Sequence, residues 1–175
     1  MGYSVAANPP GKTIEEQLKI QNISLREFAN KIGEPERWVR DELFAGNVQL
    51  THEIAVKLEE ALGPPSRFWE NLELIYRSKL KRLQVEKFLE RFHESRSVNK
   101  VFTNGCCYWF AFILHNRFEG SKMMYDQIEN HFATLINGRL YDITGDVTEK
   151  YNMEPWDELD DELLKSRIIR DCVLF

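Results

Sequence analysis

The chain has 175 residues, 43% of them apolar, with 28 Asp and Glu against 23 Lys and Arg for a net charge of −5. Such a length suits one domain or two small ones around a buried core, and the apolar share excludes a disordered chain. Two adjacent cysteines and a third give neither a disulfide framework nor CxxC metal spacing, and the longest apolar run, CCYWFAFIL, is too short to cross a bilayer, so the expectation is a cytoplasmic protein without membrane association.

Residues 1–11 end in Asn8-Pro9-Pro10-Gly11 and read as an extended arm. Helical periodicity begins at Thr13, with Ile14, Leu18 and Ile20, and Asn22 breaks it. Ser24 and Glu27 form a capping box for a second helix whose stripe is Leu25, Phe28, Ala29 and Ile32 and whose end is Gly33. Pro35 starts a third helix with Trp38, Val39, Leu43 and Phe44, closed by Gly46; Thr51 caps a fourth, IAVKLEEAL, ended by Gly63. Four short helices joined by tight glycine turns match a helix-turn-helix layout.

Two phrases carry a resemblance here. LREFANKIG followed by LTHEIAVKLEEALGPPSRFWENLELIYR resembles the Cro/C1-type helix-turn-helix of HigA-type antitoxins, from about Pro10 to Leu80. That resemblance implies operator DNA as a partner, with the second helix supporting and the third reading the major groove. It implies Arg37, Trp38 and Arg40 as reading residues and Asn47 as a phosphate contact. It also implies a homodimer, since such proteins pair to meet two half-sites, and a toxin or other protein as a second partner. The turn around Phe44-Ala45-Gly46-Asn47 is about one residue longer than the family pattern. The reading helix also carries Glu34, Glu36, Asp41 and Glu42.

Residues 1–80 hold ten Lys and Arg against twelve Asp and Glu, no basic face of the kind a dedicated DNA binder shows. A more basic stretch follows: Arg77, Lys79, Lys81, Arg82, Lys87, Arg91, Arg96 and Lys100 are opposed by Glu86, Glu90 and Glu94. The helical pattern runs from Phe68 through Leu72, Ile75, Leu83, Phe88, Leu89 and Phe92, about 25 residues if continuous. It stops at Ser95-Arg96-Ser97, which reads as a linker dividing a domain of residues 1–94 from one of residues 98–175.

In the second half, Asn104-Gly105 is a turn signal and Cys107 to Phe118 has an apolar face of Phe110, Ile113, Leu114 and Phe118. The cysteines therefore sit in the first turn of a helix, where the dipole lowers a thiol pKa and free amides can hold an oxyanion. Asn137-Gly138 between two alternating runs is the strongest short-range sign of a hairpin with a type I′ turn. With that turn Leu135 faces Leu140 and Ala133 faces Asp142, so His131 and Asp142 become diagonal neighbours on one face, roughly 7 Å apart at the backbone. Met123 to Ile128 and the terminal IIRDCVLF read as further strands, and EPWDELDDE between them as an acidic, capped surface helix. The fold class is therefore α+β: an all-α helix-turn-helix domain, a long helix and a small α+β domain with an antiparallel sheet.

The order Cys, His, Asp and the phrases CYWFA, NHF and YDITG resemble the transglutaminase-like and arylamine-acetyltransferase branch of the papain-like superfamily, and small bacterial and phage domains. Residue by residue, the resemblance implies Cys107 as nucleophile, His131 as base and Asp142 as orienter, with Cys106 the weaker thiol. No cofactor is expected, and His52, His93, His115 and His131 lack metal-ligand spacing.

Three functions remain open. The first is a dimeric, autoregulating, operator-binding regulator whose second half binds a toxin or another partner. The second is a cysteine-dependent hydrolase or acyltransferase targeted by its helix-turn-helix. The third is a phage or mobile-element counter-defence protein of the anti-CRISPR kind. The first is favoured, because its motif is longer and more specific.

Overall fold

The computed structural model describes residues 7–173. It is α+β, with helices throughout and a five-stranded antiparallel sheet confined to the C-terminal part. Internal contacts divide the chain into two compact units, residues 1–81 and 82–175.

The first unit contains α1 (Pro10–Gln21), α2 (Leu25–Ile32), α3 (Glu36–Trp38) continuing as a π-helical turn (Val39–Phe44), α4 (His52–Leu62) and the start of α5 (Ser66–His93). Its ends are set by the residues that the sequence marks. Ser24 accepts a hydrogen bond from the Glu27 amide, Thr51 accepts one from the Ile54 amide, and Asn22 and Gly33 close their helices in the left-handed region. Ile14, Phe28, Val39, Ala55, Leu58 and Trp69 are fully buried at its centre.

The N-terminal arm is shorter than the Pro-Pro-Gly pattern suggested. Pro10 starts α1, where a proline loses no intrahelical bond, and both Pro10 and Gly11 are buried. Gly11 has a steric duty: a Cβ there would lie 2.2 Å from Phe44 Cα, at the end of the π turn. The Val39–Phe44 segment is wound as a π turn, which takes about one residue more per turn than α winding.

The second unit takes Val85 and Leu89 of α5 into its core, with Phe88 and Phe92 packed beside them against Phe110, Leu114, Phe118 and Ile136. For that reason the division falls inside α5, not at Ser95-Arg96-Ser97. Those residues open a further helix, α6 (Arg96–Thr103), where Ser95 Oγ caps the Val98 amide and Phe102 meets Phe92 and Phe110. A short polar cap before a helix and a polar linker look alike in sequence.

Next come α7 (Cys107–Arg117), β1 (Lys122–Asp126), β2 (His131–Ile136), β3 (Arg139–Asp142), β4 (Gly145–Asp146), β5 (Glu154–Pro155) and α8 (Glu162–Val173). The sheet order is β4-β3-β2-β1-β5. Leu135 pairs with Leu140 and Ile136 with Arg139, as the Asn-Gly turn requires; Asn137 and Gly138 both have positive φ. Phe132, Thr134 and Ile136 turn toward α7, where Thr134 Oγ1 donates to the Ala111 carbonyl at 2.9 Å. Ala133 and Leu135 turn the other way and pack with Met124, Leu140, Val147 and Tyr151.

Two local expectations fail. The terminal IIRDCV segment is not a strand but the end of α8, with the last two residues of the IIRDCVLF run outside the described residues. Leu164 and Ile168, four apart, give that helix its apolar stripe, and Asp161 Oδ1 caps the Leu164 amide. The acidic EPWDELDDE segment is no helix either: it forms β5 and a 3₁₀ turn over Trp156–Glu158 before α8 begins.

Candidate functional site

In the first unit the helix expected to read DNA presents Arg37 and Arg40 to solvent, the Arg37 side chain being 91% exposed with a weak i,i+4 contact to Asp41 at 3.3 Å. Trp38 differs: it is half-buried and packs on the core. Asn47 is exposed, but its Nδ2 donates to the Asp41 carbonyl at 3.0 Å and its backbone amide to Glu42, so it ties off the π turn. Arg77, the first residue of the basic stretch, braces the same segment. Its guanidinium donates to the carbonyls of Gly46 and Val48 at 3.1 and 2.8 Å and to buried Glu73 at 2.6 Å.

In the second unit Cys107, His131 and Asp142 come together. Asp142, at the end of β3, accepts from His131 Nε2 at 2.9 Å through Oδ2. Its Oδ1 accepts both the backbone amide and the hydroxyl of Thr144 at 2.6 Å. Burial pushes the Asp142 carboxyl upward, but the bonds from His131 and Thr144 outweigh it and hold the group below the usual carboxylate range. Burial likewise lowers the His131 pKa, yet hydrogen bonds to Asp142 and to the Cys107 side chain, with their charges, raise it from 6.5 to about 9. The imidazole thus contacts both the carboxylate and the thiol.

The three residues do not converge over the middle of the sheet. α7 packs on the face of Phe132 and Thr134, whereas His131 stacks on Tyr151, ring centroids 4.6 Å apart, in company with the opposite face. Contact arises at the end of the strand, because Cys107 is the first residue of α7 and His131 the first of β2. Cys107 is buried and Cys106, the residue before the helix, is half-buried and places no side-chain cap on its first-turn amides. Those amides have no intrahelical acceptor by geometry.

Sequence reasoning missed the supporting residues. Thr144 was legible in principle, because Asp-x-Thr is a common local hydrogen-bonding pattern. Tyr151 and Asp126 carried no such sign. Asp126 faces His131 in the β1–β2 register and accepts the amides of Ile128, Glu129 and Asn152. The Glu129 amide foremost, then those of Ile128 and Asn152, hold its pKa down against burial.

A pocket of about 200 Å³ lies in the same unit, lined by Tyr125, Gln127, Glu154, Pro155, Trp156, Glu158 and Leu159. Tyr125, Trp156 and Leu159 also belong to the packed cluster around Cys107, Ala111 and Phe132. Among the described residues no group of three or more His, Cys, Asp or Glu could hold a metal ion, and no helix is long and apolar enough to cross a membrane.

Residues 84–168, just under half of the chain, match the family described as Phage YunG-like protein. Over 64 residues, 37% of this chain and 67% of the relative, the sequence is 39% identical to YddM of Escherichia coli (strain K12), described as an uncharacterized HTH-type transcriptional regulator.

Proposed function

The chain belongs to the helix-turn-helix-type transcriptional regulators, and from that premise we propose that it is a DNA-binding regulator of the HigA-antitoxin type, dimeric on its own operator. The observation that carries this reading is the outward presentation of Arg37 and Arg40 on a short helix braced from behind by the core packing of Trp38. Arginine in that position can meet guanine edges with two bonds, while surrounding backbone contacts set the register. On the antitoxin reading the second unit binds a toxin or another protein. A mobility-shift assay with the native upstream DNA tests it: Arg37→Ala with Arg40→Ala should cost roughly 1–3 kcal/mol for each base-reading arginine removed. Affinity should also fall steeply with salt. Unchanged binding by the double variant would remove this helix as the reader.

A second reading is favoured by the contact of Cys107 with the His131–Asp142 pair: the second unit is a cysteine hydrolase or acyltransferase. On this reading the thiol proton passes to His131, whose imidazolium form the bonds to Asp142 and Cys107 favour, leaving a thiolate beside an imidazolium. The thiolate attacks a carbonyl carbon, forming the C–S bond, and the first-turn amides of α7 receive the oxyanion. As the carbonyl re-forms, the bond to the leaving nitrogen or oxygen breaks and the imidazolium gives that atom its proton. Neutral His131 then takes a proton from water, or from an acceptor nucleophile, which attacks the thioester and releases the acyl group; the thiolate and imidazolium are restored.

A further inference from the structure

We propose that the pocket beside this centre is the subsite for a cationic side chain, an alkyl ammonium or guanidinium carried on the acyl substrate of Cys107; the proposal rests on the thiol reading above. Its volume of about 200 Å³ corresponds to the share of roughly six or seven water molecules, enough for a lysyl or arginyl side chain. Two aromatic walls, Tyr125 and Trp156, meet edge to face with centroids 5.6 Å apart. Aromatic faces attract cations, and here Trp156 already does so within the chain: Lys165 Nζ lies 6.0 Å from its ring centroid.

The carboxylates decide between a cation and a neutral apolar group. Glu154 and Glu158 both line the pocket. Glu154 accepts a long bond from Gln127 at 3.4 Å, and among the described residues neither glutamate pairs with a Lys or Arg. Both carboxylates are exposed, so an ammonium or guanidinium would gain solvent-screened ion pairs with them that an apolar occupant would not.

Position links the pocket to the thiol. Tyr125, Trp156 and Leu159 form walls of the pocket and pack in one cluster with Cys107. The Tyr125 hydroxyl also donates to Asn130 Oδ1 at 2.9 Å, one residue before His131. On the proposal, a substrate whose carbonyl reaches Cys107 lays its side chain against Tyr125, Trp156 and Leu159, the walls that the pocket shares with the thiol's cluster.

The full-length protein would be treated with a lysyl chloromethyl ketone and with its norleucyl analogue, and labelling of Cys107 followed by peptide mass spectrometry. Iodoacetamide, which needs no side-chain subsite, serves as the reference reagent for each variant. Rates relative to iodoacetamide should favour the lysyl reagent by about tenfold or more, and Glu154→Gln with Glu158→Gln should bring that ratio close to one. A ratio near one in the native protein, or a preference that survives the double substitution, overturns the cation subsite while leaving the thiol centre intact. Failure of iodoacetamide to react with Cys107 below its ordinary pH range overturns the thiol reading, and the subsite with it.

Discussion

His131 Nε2 lies 2.9 Å from Asp142 Oδ2 across the β2–β3 pair, the diagonal contact that the Asn137-Gly138 turn dictates once the register is set. Thr144 holds the other carboxylate oxygen, so the ring is fixed from behind. Contact with Cys107 follows from the chain directions of α7 and β2, both of which begin at this end of the sheet.

That arrangement predicts an unusually reactive thiol. Cys107 should react with iodoacetamide at pH 6, well below the range of a free thiol with a pKa of about 8.5. His131→Ala should return its rate-against-pH profile toward that of a free thiol. Asp142→Asn should have a smaller effect, because the amide still offers His131 a hydrogen-bond partner. Peptide-resolved alkylation rates between pH 6 and pH 9 decide the matter; a rate indifferent to the loss of His131 would reduce the cluster to a structural contact.

The same pair predicts a pH-dependent stability with a definite sign. Folding raises the His131 pKa from 6.5 to about 9, so the folded state binds this proton more tightly. The share of stability that belongs to His131 is complete below pH 6.5 and lost as pH rises through 9. Asp142, held below its ordinary value, contributes in the opposite direction, above pH 3.8 and fading as pH falls further. Urea unfolding of the native protein and of His131→Ala at pH 6.5 and 9.5 should show a larger loss with rising pH in the native protein. Parallel losses in the two would mean that His131 gains nothing from its partners on folding.

The sequence made much of this visible for physical reasons particular to each element. Ser24 with Glu27, Thr51, and Asn137-Gly138 are local devices whose geometry does not depend on the rest of the chain, and each acts as its chemistry requires. The His131–Asp142 contact was legible because a hairpin register is a local property. The features that were not legible depend on tertiary context. Ser95 looks like a linker residue until Phe102 is placed against Phe92 and Phe110. Ile168 is β-branched, yet it serves a helix because the face of α8 that carries it meets the Cys107 cluster. The Trp156 pocket needs β5 paired with β1, a contact nearly thirty residues apart in sequence.

Arg77 provides a third prediction, because it lies in a basic stretch yet is occupied within the fold. Its removal strips the Gly46 and Val48 carbonyls of a donor and leaves Glu73, 5% exposed, without its cation. Arg77→Ala should destabilise the first unit by roughly 2–4 kcal/mol, less than a fully buried pair because the arginine is about one-third exposed. Pairing it with Glu73→Leu should recover part of that loss. Thermal unfolding measures the effect. A variant that keeps its native melting temperature but loses operator affinity would make Arg77 a phosphate contact instead of a brace.

The last prediction concerns where the chain can be cut. Val85, Phe88, Leu89 and Phe92 belong with Phe110, Leu114, Phe118 and Ile136 of the second unit, and the units divide at Lys81 and Arg82. A fragment of residues 1–94 would therefore carry four large apolar side chains stripped of their partners, each costing about 1.5–3 kcal/mol to leave in water. A fragment of residues 1–81 would carry none of the four. The shorter fragment should be monodisperse and unfold cooperatively, while the longer one should bind a hydrophobic dye or self-associate through the α5 extension. Light scattering and dye fluorescence on the two fragments test this directly. Equal behaviour would mean that residues 82–94 are satisfied without the second unit, and the functional boundary would then move to residues 95–97, where the helical periodicity of the sequence breaks.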